Sequence, residues 1–271
     1  MNNEVAVVCS RVDPASLNIA EHLLALVEWD SLEEYWSYAN FRLIIHEEKQ
    51  ITLKSIDKRF VSIGLHPSMI IFASKHKSQS EVPWLGGHFT GEFENGKINL
   101  STAAPAGLKS FLQNISVKAP DGYRISAEAT HHGPTDVETP CFFAEIGSCE
   151  RQWCDPEAAE VVSRAILALH NRELPTFLGF GGGHYMQRQT SLMLDTDIAF
   201  GHLFSNYRVN EISHELVKKA RVKSGADYAY IDRKSFKAEE RDKVIAIIDE
   251  IGMPVLRSKE IRKRFPLSMK T

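Results

Sequence analysis

Two adjacent histidines, His131 and His132, are the residues of this chain whose types and spacing are best suited to chemistry. They are followed by a Gly-Pro dipeptide and then by Asp136. The alternating pattern of residues 124–130 predicts a strand that ends here, because proline has no N–H to donate to a sheet. Both imidazoles then lie at the end of a strand, and they can face one site if the backbone bends between them.

A second stretch runs from a predicted strand into a glycine loop. Residues 176–180 are mostly apolar, and a run of three glycines then leads to His184 and Tyr185. Glycines let a ligand approach the backbone closely, and backbone N–H groups can bind an oxyanion. A tight packing corner is the alternative interpretation of this loop.

These histidines allow two kinds of chemistry. Neutral imidazoles can bind a divalent metal and be oriented by carboxylates, for which Glu128 and Glu145 are near in sequence. Alternatively, an imidazole with a pKa near ~6.5 can act as a general base for water. Both routes lead to hydrolysis of an ester or amide. The chain has no P-loop, no G-x-S-x-G and no H-E-x-x-H motif.

Composition narrows the class of protein. The chain has 271 residues, of which 43% are hydrophobic and 25% charged, and its net charge is −3. No apolar run reaches the ~18 residues that span a bilayer, and the four cysteines form no C-x-x-C pair. Broad, non-specific nucleic-acid binding requires a basic face, which this composition argues against. We therefore expect a cytoplasmic protein, a monomer, with neither membrane nor DNA as partner.

Alternating strands and helices predict an α/β fold, a three-layer α/β/α sandwich with a mostly parallel, mixed sheet. Residues 5–10 form a strand, and a helix follows from Pro14. Residues 141–146 and 176–180 flank a helix that begins at Pro156, which predicts a parallel pair joined by a right-handed crossover. The carboxyl ends of such strands are where a site is expected.

We expect a single domain over residues 1–271, with hairpin and loop insertions in roughly 41–100. Strands are predicted at residues 41–47, 50–56, 61–65 and 69–73, and the last leads to Lys75 and His76, a basic tip that could contact a phosphate. Residues 83–91 are rich in turn residues. They carry His88 between glycine-containing segments, which favours exposure or function over a core position.

The motifs around these histidines resemble those of the archaeal and plant type of D-aminoacyl-tRNA deacylase. The resemblance rests on four stretches in the same order and spacing, namely residues 129–136, 145–148, 179–185 and 201–204. It implies hydrolysis of the ester that joins a D-amino acid to the 3′ end of tRNA, a chiral proofreading step. It also implies Zn²⁺ as cofactor and a fold similar to peptidyl-tRNA hydrolases and nucleoside phosphorylases.

Residues and resemblance together give the candidate site. The predicted catalytic residues are His131, His132, His184, Asp136 and Glu145. The predicted substrate-binding residues are His88, Gly181, Gly182, Gly183, Tyr185, Lys75, His76 and His202. The predicted zinc ligands are His131, His132 and His184, and the predicted partner is tRNA carrying a D-amino acid.

Two other functions stay open at this stage. A zinc-dependent amidohydrolase or nucleoside-processing enzyme on the same scaffold would turn over small substrates without tRNA. A non-catalytic protein that binds the tRNA 3′ end would use the histidines to stack on or bond the terminal adenosine, without turnover.

Overall fold

A computed structural model describes residues 3–170 and 172–268 of the chain. Residues 1, 2, 171 and 269–271 of the predicted domain lie outside the described residues. The strands are β1 (Val5–Ser10), β2 (Asp30–Ser31), β3 (Trp36–Tyr38), β4 (Phe41–His46), β5 (Met69–Lys77), β6 (Trp84–His88), β7 (Gly91–Glu92), β8 (Asn99–Leu100), β9 (Arg124–Ala127), β10 (Cys141–Ser148), β11 (Thr176–Phe180), β12 (Ala199–Phe204) and β13 (Tyr228–Ile231). The α-helices are α1 (Pro14–Leu26), α2 (Ile56–Ser62), α3 (Pro105–Lys118), α4 (Glu150–Trp153), α5 (Pro156–Leu167), α6 (Gln187–Asp195), α7 (His214–Ser224), α8 (Ala238–Glu250) and α9 (Ser258–Arg264). Within the described ranges, none of these helices has the length and apolar character needed to cross a bilayer.

The large sheet confirms the predicted fold class. Its strand order is β2-β3-β4-β1-β5-β10-β6-β9, and β4, β1, β5 and β10 run parallel. Alternate side chains of β1 face opposite ways: Val5 and Val7 pack with α1, α3 and α5, whereas Ala6 and Val8 pack with α2. Helices thus cover both faces of a mostly parallel, mixed sheet.

A second, fully parallel sheet has the order β12-β11-β13. The predicted pairing of β10 with β11 is therefore wrong. Both long edges of β10 are already occupied, by β5 on one side and by β6 on the other, so β11 finds no edge there. Helix α3 packs against β6, β9 and β10 of the large sheet and against β12 of the small one, so it lies between the two.

Residues 50–65 also differ from the prediction. The predicted strand at 50–56 is a 3₁₀ turn (Gln50–Thr52) that leads to α2, and the predicted strand at 61–65 contains the end of α2. Ile56 and Phe60 are four residues apart and both buried against the large sheet, a helical spacing that a short apolar run does not distinguish from a strand.

The turn-rich stretch at 83–91 holds β6, a strand of the large sheet that lies between β10 and β9. Its glycines are needed because neighbouring backbone lies very close: a Cβ on Gly87 would stand 2.1 Å from the Phe143 carbonyl oxygen. Here glycine indicates close approach within a sheet instead of a turn.

Candidate active site

The segment after β9 crosses from the large sheet to the small one. Glu128 N–H donates to the Gly87 carbonyl at 3.0 Å, on the large sheet. Thr130 N–H donates to the Leu203 carbonyl at 2.8 Å, on the small sheet. Between them, Ala129 N–H donates to the His184 carbonyl at 2.9 Å, at the end of the glycine loop. Both predicted histidine motifs are thus tied together by the backbone.

The bend that the histidine pair requires lies at His132. Its φ is +36°, in the left-handed region that side-chain-bearing residues rarely adopt. The bend brings the His131 and His132 rings to the same side, with their centroids 4.5 Å apart. Adjacent residues of a regular strand would point to opposite faces, so this backbone conformation makes a shared site possible.

A third imidazole, His88 at the end of β6, completes the cluster. One ring nitrogen each of His88, His131 and His132 lies within 4.8 Å of the others. The Nδ1 atoms lie 3.1, 2.7 and 2.7 Å from the backbone carbonyls of Phe89, Ala129 and Gly133, respectively. A carbonyl can only accept, so it fixes the proton on Nδ1 and leaves the Nε2 lone pair for a ligand. We call these three residues the histidine trio.

Burial keeps the histidine trio neutral. It lowers the pKa of His88 to about 4 and the pKa of His132 to about 3, and it lowers the pKa of His131 as well. Neighbouring imidazoles add to each of these shifts, because two positive rings repel each other. At neutral pH the trio therefore offers lone pairs, not positive charges.

Glu128 forms a second cluster with His184 and His76. Its Oε1 is 3.0 Å from His184 Nε2 and 3.3 Å from His76 Nδ1. The bond to Glu128 raises the pKa of His184, while burial lowers that of His76. Tyrosines hold the outer nitrogens: Tyr207 Oη is 3.3 Å from His184 Nδ1, and Tyr185 Oη is 2.9 Å from His76 Nε2.

Glu145, on β10, touches both clusters. Its Oε2 is 3.7 Å from His88 Nε2 and 3.8 Å from His76 Nδ1. Burial raises the pKa of Glu145 well above its usual range. A carboxyl group of this kind is a stronger base than an exposed one, and it can hold a proton nearer to neutral pH.

Two cavities meet at His131 and His132, which line both. The first, of about 490 Å³, is also lined by Glu145 and His184, and by three lysines, so we call it the lysine cavity. The second, of about 470 Å³, is also lined by Tyr207 and Arg208, and we call it the tyrosine cavity. The three lysines of the lysine cavity are Lys49, Lys75 and Lys77.

The structure brings most of the predicted residues to this place. His131, His132, His184, Glu145, His88, Tyr185 and His76 lie in the two clusters, and Lys75 lines the lysine cavity. His184 groups with Glu128 and His76, whereas His88 takes the position beside His131 and His132 that the prediction gave to His184.

Other predicted residues lie apart. Asp136 is exposed, and its Oδ2 accepts a hydrogen bond from Ser55 N–H at 2.8 Å. His202 is fully buried, with Nδ1 3.1 Å from Thr130 Oγ1, so it supports the crossing segment from behind. Neither residue lines the lysine or the tyrosine cavity.

The glycine loop is also set back from both cavities. The N–H groups of Gly181 and Gly182 donate to the Phe204 carbonyl and to Ser235 Oγ, at 2.7 and 2.9 Å. Gly183 does not line either cavity. In this structure the loop packs against neighbouring residues and presents His184.

Sequence reasoning missed the central position of Glu128 and the contribution of Tyr207. The sequence indicates Glu128 only as an acid near the histidines, although it follows β9 directly. Tyr207 lies in a 3₁₀ segment (Asn206–Glu211) and carries no sequence motif. The sequence signal that could have identified the first is an acid inside the predicted strand, three residues before His131.

The histidine trio has the ligand types that a metal ion requires. Three neutral histidines with free Nε2 atoms match the protein ligands of a catalytic zinc, which leaves a further position open. Among the described residues, buried His88 Nε2 has no hydrogen-bond partner, and neither does Glu128 Oε2. Such atoms are costly to bury unless something occupies the space that they face.

Comparison with known proteins decides the family. The sequence profile of the D-aminoacyl-tRNA deacylase family matches residues 63–256. This chain belongs to that family. A D-aminoacyl-tRNA deacylase of Methanothrix thermoacetophila is 46% identical over 264 residues, covering 96% of this chain and 99% of that protein. One of Methanosarcina mazei is 41% identical over 286 residues, covering 98% and 96%.

A solved crystal structure agrees with the fold. It is that of a conserved protein of unknown function, with 31% sequence identity and a TM-score of 0.90, covering 99% of this chain and 100% of the other. The family that the sequence motifs resemble is therefore the family to which the chain belongs, and the α/β fold is shared over nearly its whole length.

Proposed function

We propose that this protein hydrolyses the ester bond of D-aminoacyl-tRNA and releases free tRNA and the D-amino acid. The observation that carries the proposal is the position of His131 and His132 on the wall between two cavities. An ester bound at this wall has its acyl group on one side and its ribose on the other. Membership of the D-aminoacyl-tRNA deacylase family supports the same reaction.

Hydrolysis moves two protons. The oxygen of water bonds to the carbonyl carbon, the bond from that carbon to the ribose oxygen breaks, and the ribose oxygen takes up a proton. In this proposal Glu145, which lines the lysine cavity, accepts the proton of the attacking water, and burial makes it a stronger base by raising its pKa. His184, which lines the same cavity, donates the second proton, and its bond to Glu128 favours the protonated ring by raising its pKa.

Zinc belongs to the same proposal. His88, His131 and His132 would hold the ion through Nε2, and their Nδ1 contacts with backbone carbonyls fix each ring in the required orientation. When bound, Zn²⁺ supplies a positive charge that polarises a carbonyl or a water molecule. His184 stays outside this set and keeps its bond to Glu128.

The substrate is tRNA that carries a D-amino acid. A local basic surface binds this tRNA, although the protein as a whole is acidic. Lys49, Lys75 and Lys77 form that surface at the mouth of the site, although the net charge is −3. A cytoplasmic monomer without a DNA or membrane partner is part of the proposal.

A thousandfold preference for the D form over the L form requires a difference of about 4 kcal/mol in free energy. A rigid wall that excludes one side-chain direction can supply this difference.

The test is release of labelled tyrosine from matched D- and L-tyrosyl-tRNA by untreated, chelated and zinc-restored enzyme. We expect hydrolysis of the D form only, lost on chelation and recovered with zinc. As a control, His214→Ala changes an exposed histidine that pairs with Glu250, and it should leave both activity and zinc content unchanged. Binding of tRNA without turnover of either ester would contradict the proposal and favour a binding protein.

A further inference from the structure

The two cavities differ in charge, and the difference orients the substrate. Resting on the proposed function, we infer that the lysine cavity binds the 3′-terminal adenosine and its 5′-phosphate. The tyrosine cavity then receives the aminoacyl group. Since both cavities share His131 and His132, the ester that joins these two parts lies at the histidine trio.

The lysine cavity carries an uncompensated positive charge. Lys49, Lys75 and Lys77 line it, and the Lys75 ammonium is held 5.1 Å above the centre of the Trp153 ring. Two acids also line the cavity, but neither repels a bound phosphate strongly. The Asp13 carboxylate accepts four hydrogen bonds from the protein, and the Glu145 carboxylate faces His76 and His88, with Oε2 3.8 and 3.7 Å from their nearer ring nitrogens.

Apolar side chains stand at the same mouth. Val12 is 50% exposed and Ile51 is 45% exposed, and both line the lysine cavity. Exposed aliphatic side chains beside lysines suit a ligand that joins a flat, apolar-faced ring to an anion. A nucleotide is such a ligand, and a cavity of about 490 Å³ is within the usual size of small-molecule sites.

The tyrosine cavity suits a different group. Its charges balance, because Glu92 and Glu94 face Lys97 and Arg208. The Arg208 guanidinium is already engaged, by an ion pair with Glu94 and by a hydrogen bond to the Phe93 carbonyl. This cavity therefore offers a phosphate little attraction. It offers an aminoacyl group two features. One is a set of acceptors for the α-ammonium, and the other is the Tyr207 ring, which is 58% exposed.

Calorimetric titration with adenosine 5′-monophosphate and with inorganic phosphate tests the assignment without any turnover. We expect Lys49→Ala/Lys77→Ala to raise the Kd of both probes by about tenfold. Val12→Ser/Ile51→Ser should raise the Kd of the nucleotide several-fold and leave that of phosphate unchanged. Lys259→Ala/Lys263→Ala, on α9 away from both cavities, is the charge-matched control and should change neither Kd.

Either of two results would overturn the inference. One is the absence of nucleotide binding at millimolar concentration. The other is a nucleotide Kd that rises with Lys97→Ala in the tyrosine cavity and not with Lys49→Ala/Lys77→Ala. Failure of the proposed function looks different: the wild-type protein would bind the nucleotide but leave D-tyrosyl-tRNA intact. Conversely, the enzyme could hydrolyse only the D form while Lys49→Ala/Lys77→Ala leaves the KM unchanged. That result would contradict the adenosine site but not the proposed function.

Discussion

Backbone carbonyls determine which ring nitrogen carries the proton in three histidines of this protein. Each ring of the histidine trio has Nδ1 close to the backbone carbonyl of a residue one or two positions away in the chain, so the tautomer is set locally. His184 differs, because its Nε2 faces the Glu128 carboxylate. The same residue type therefore supplies a lone pair in one cluster and a proton in the other.

Glu128→Gln tests this division of roles. The amide keeps the size of the side chain but removes the negative charge that raises the pKa of His184. We expect kcat for D-tyrosyl-tRNA to fall by at least about a hundredfold, as for loss of a general acid. Single-turnover kinetics at saturating enzyme measure the effect.

Asp136→Asn is the matched control for that experiment. Asp136 bonds Ser55 N–H on the surface, outside both cavities, so its substitution should leave kcat near the wild-type value. Equal losses in the two variants would mean that the Glu128 cluster has no special role in the reaction.

At the scale of elements, strand ends and loops determine which side chains meet. The glycine loop after β11 turns tightly against residues 232–236 and so presents His184 to Glu128. A Cβ on Gly181 would lie 2.3 Å from Ser235 Oγ, and its φ of +87° is unfavourable for any residue with a side chain. A Cβ on Gly183 would have no heavy atom within 4 Å.

This contrast predicts a matched pair of stability effects. Gly181→Ala should lower the free energy of unfolding by about 2 kcal/mol or more, because it adds both a clash and an unfavourable φ. Gly183→Ala should change it by less than about 0.5 kcal/mol. Urea unfolding measures both. Intact stability with lost activity in Gly183→Ala would instead indicate that Gly183 contacts the substrate.

At the scale of the whole molecule, α3 joins the two sheets, and a buried lysine secures it. Lys109 donates from Nζ to the Met193 and Thr196 carbonyls, both at 2.5 Å, at the end of α6. Burial lowers the pKa of Lys109 to about 8. The unfolded chain therefore binds more protons than the folded protein between about pH 8 and the ordinary lysine pKa of 10.5.

This difference predicts that Lys109 makes the fold more stable as pH rises through that window. Below pH 8 both states are protonated and the contribution is flat, and above 10.5 it is flat again. The full rise is about 3 kcal/mol relative to Lys109→Met, measured by urea unfolding from pH 7.5 to 10.5. Lys118→Met, exposed at the end of the same helix, should keep the wild-type pH dependence. Parallel curves for wild type and Lys109→Met would refute the prediction.

The features that depend on local pattern are encoded in short stretches of the sequence. Caps and apolar periodicity placed α1 and α5. The histidine motifs identified His131, His132 and His184, because short-range spacing is written directly in the chain. Their similarity to a known family was enough to indicate the family that the comparisons then showed.

Which of these residues meet depends on how the strands assemble in three dimensions. His88 joins His131 because β6 and β9 are neighbours, although the two residues are far apart in the chain. Glu128 becomes central because the crossing segment is bonded to both sheets. The pairing of β11 with β12 and β13 depends on which strand edges are free, and that is a property of the assembled sheets, which no local sequence pattern records.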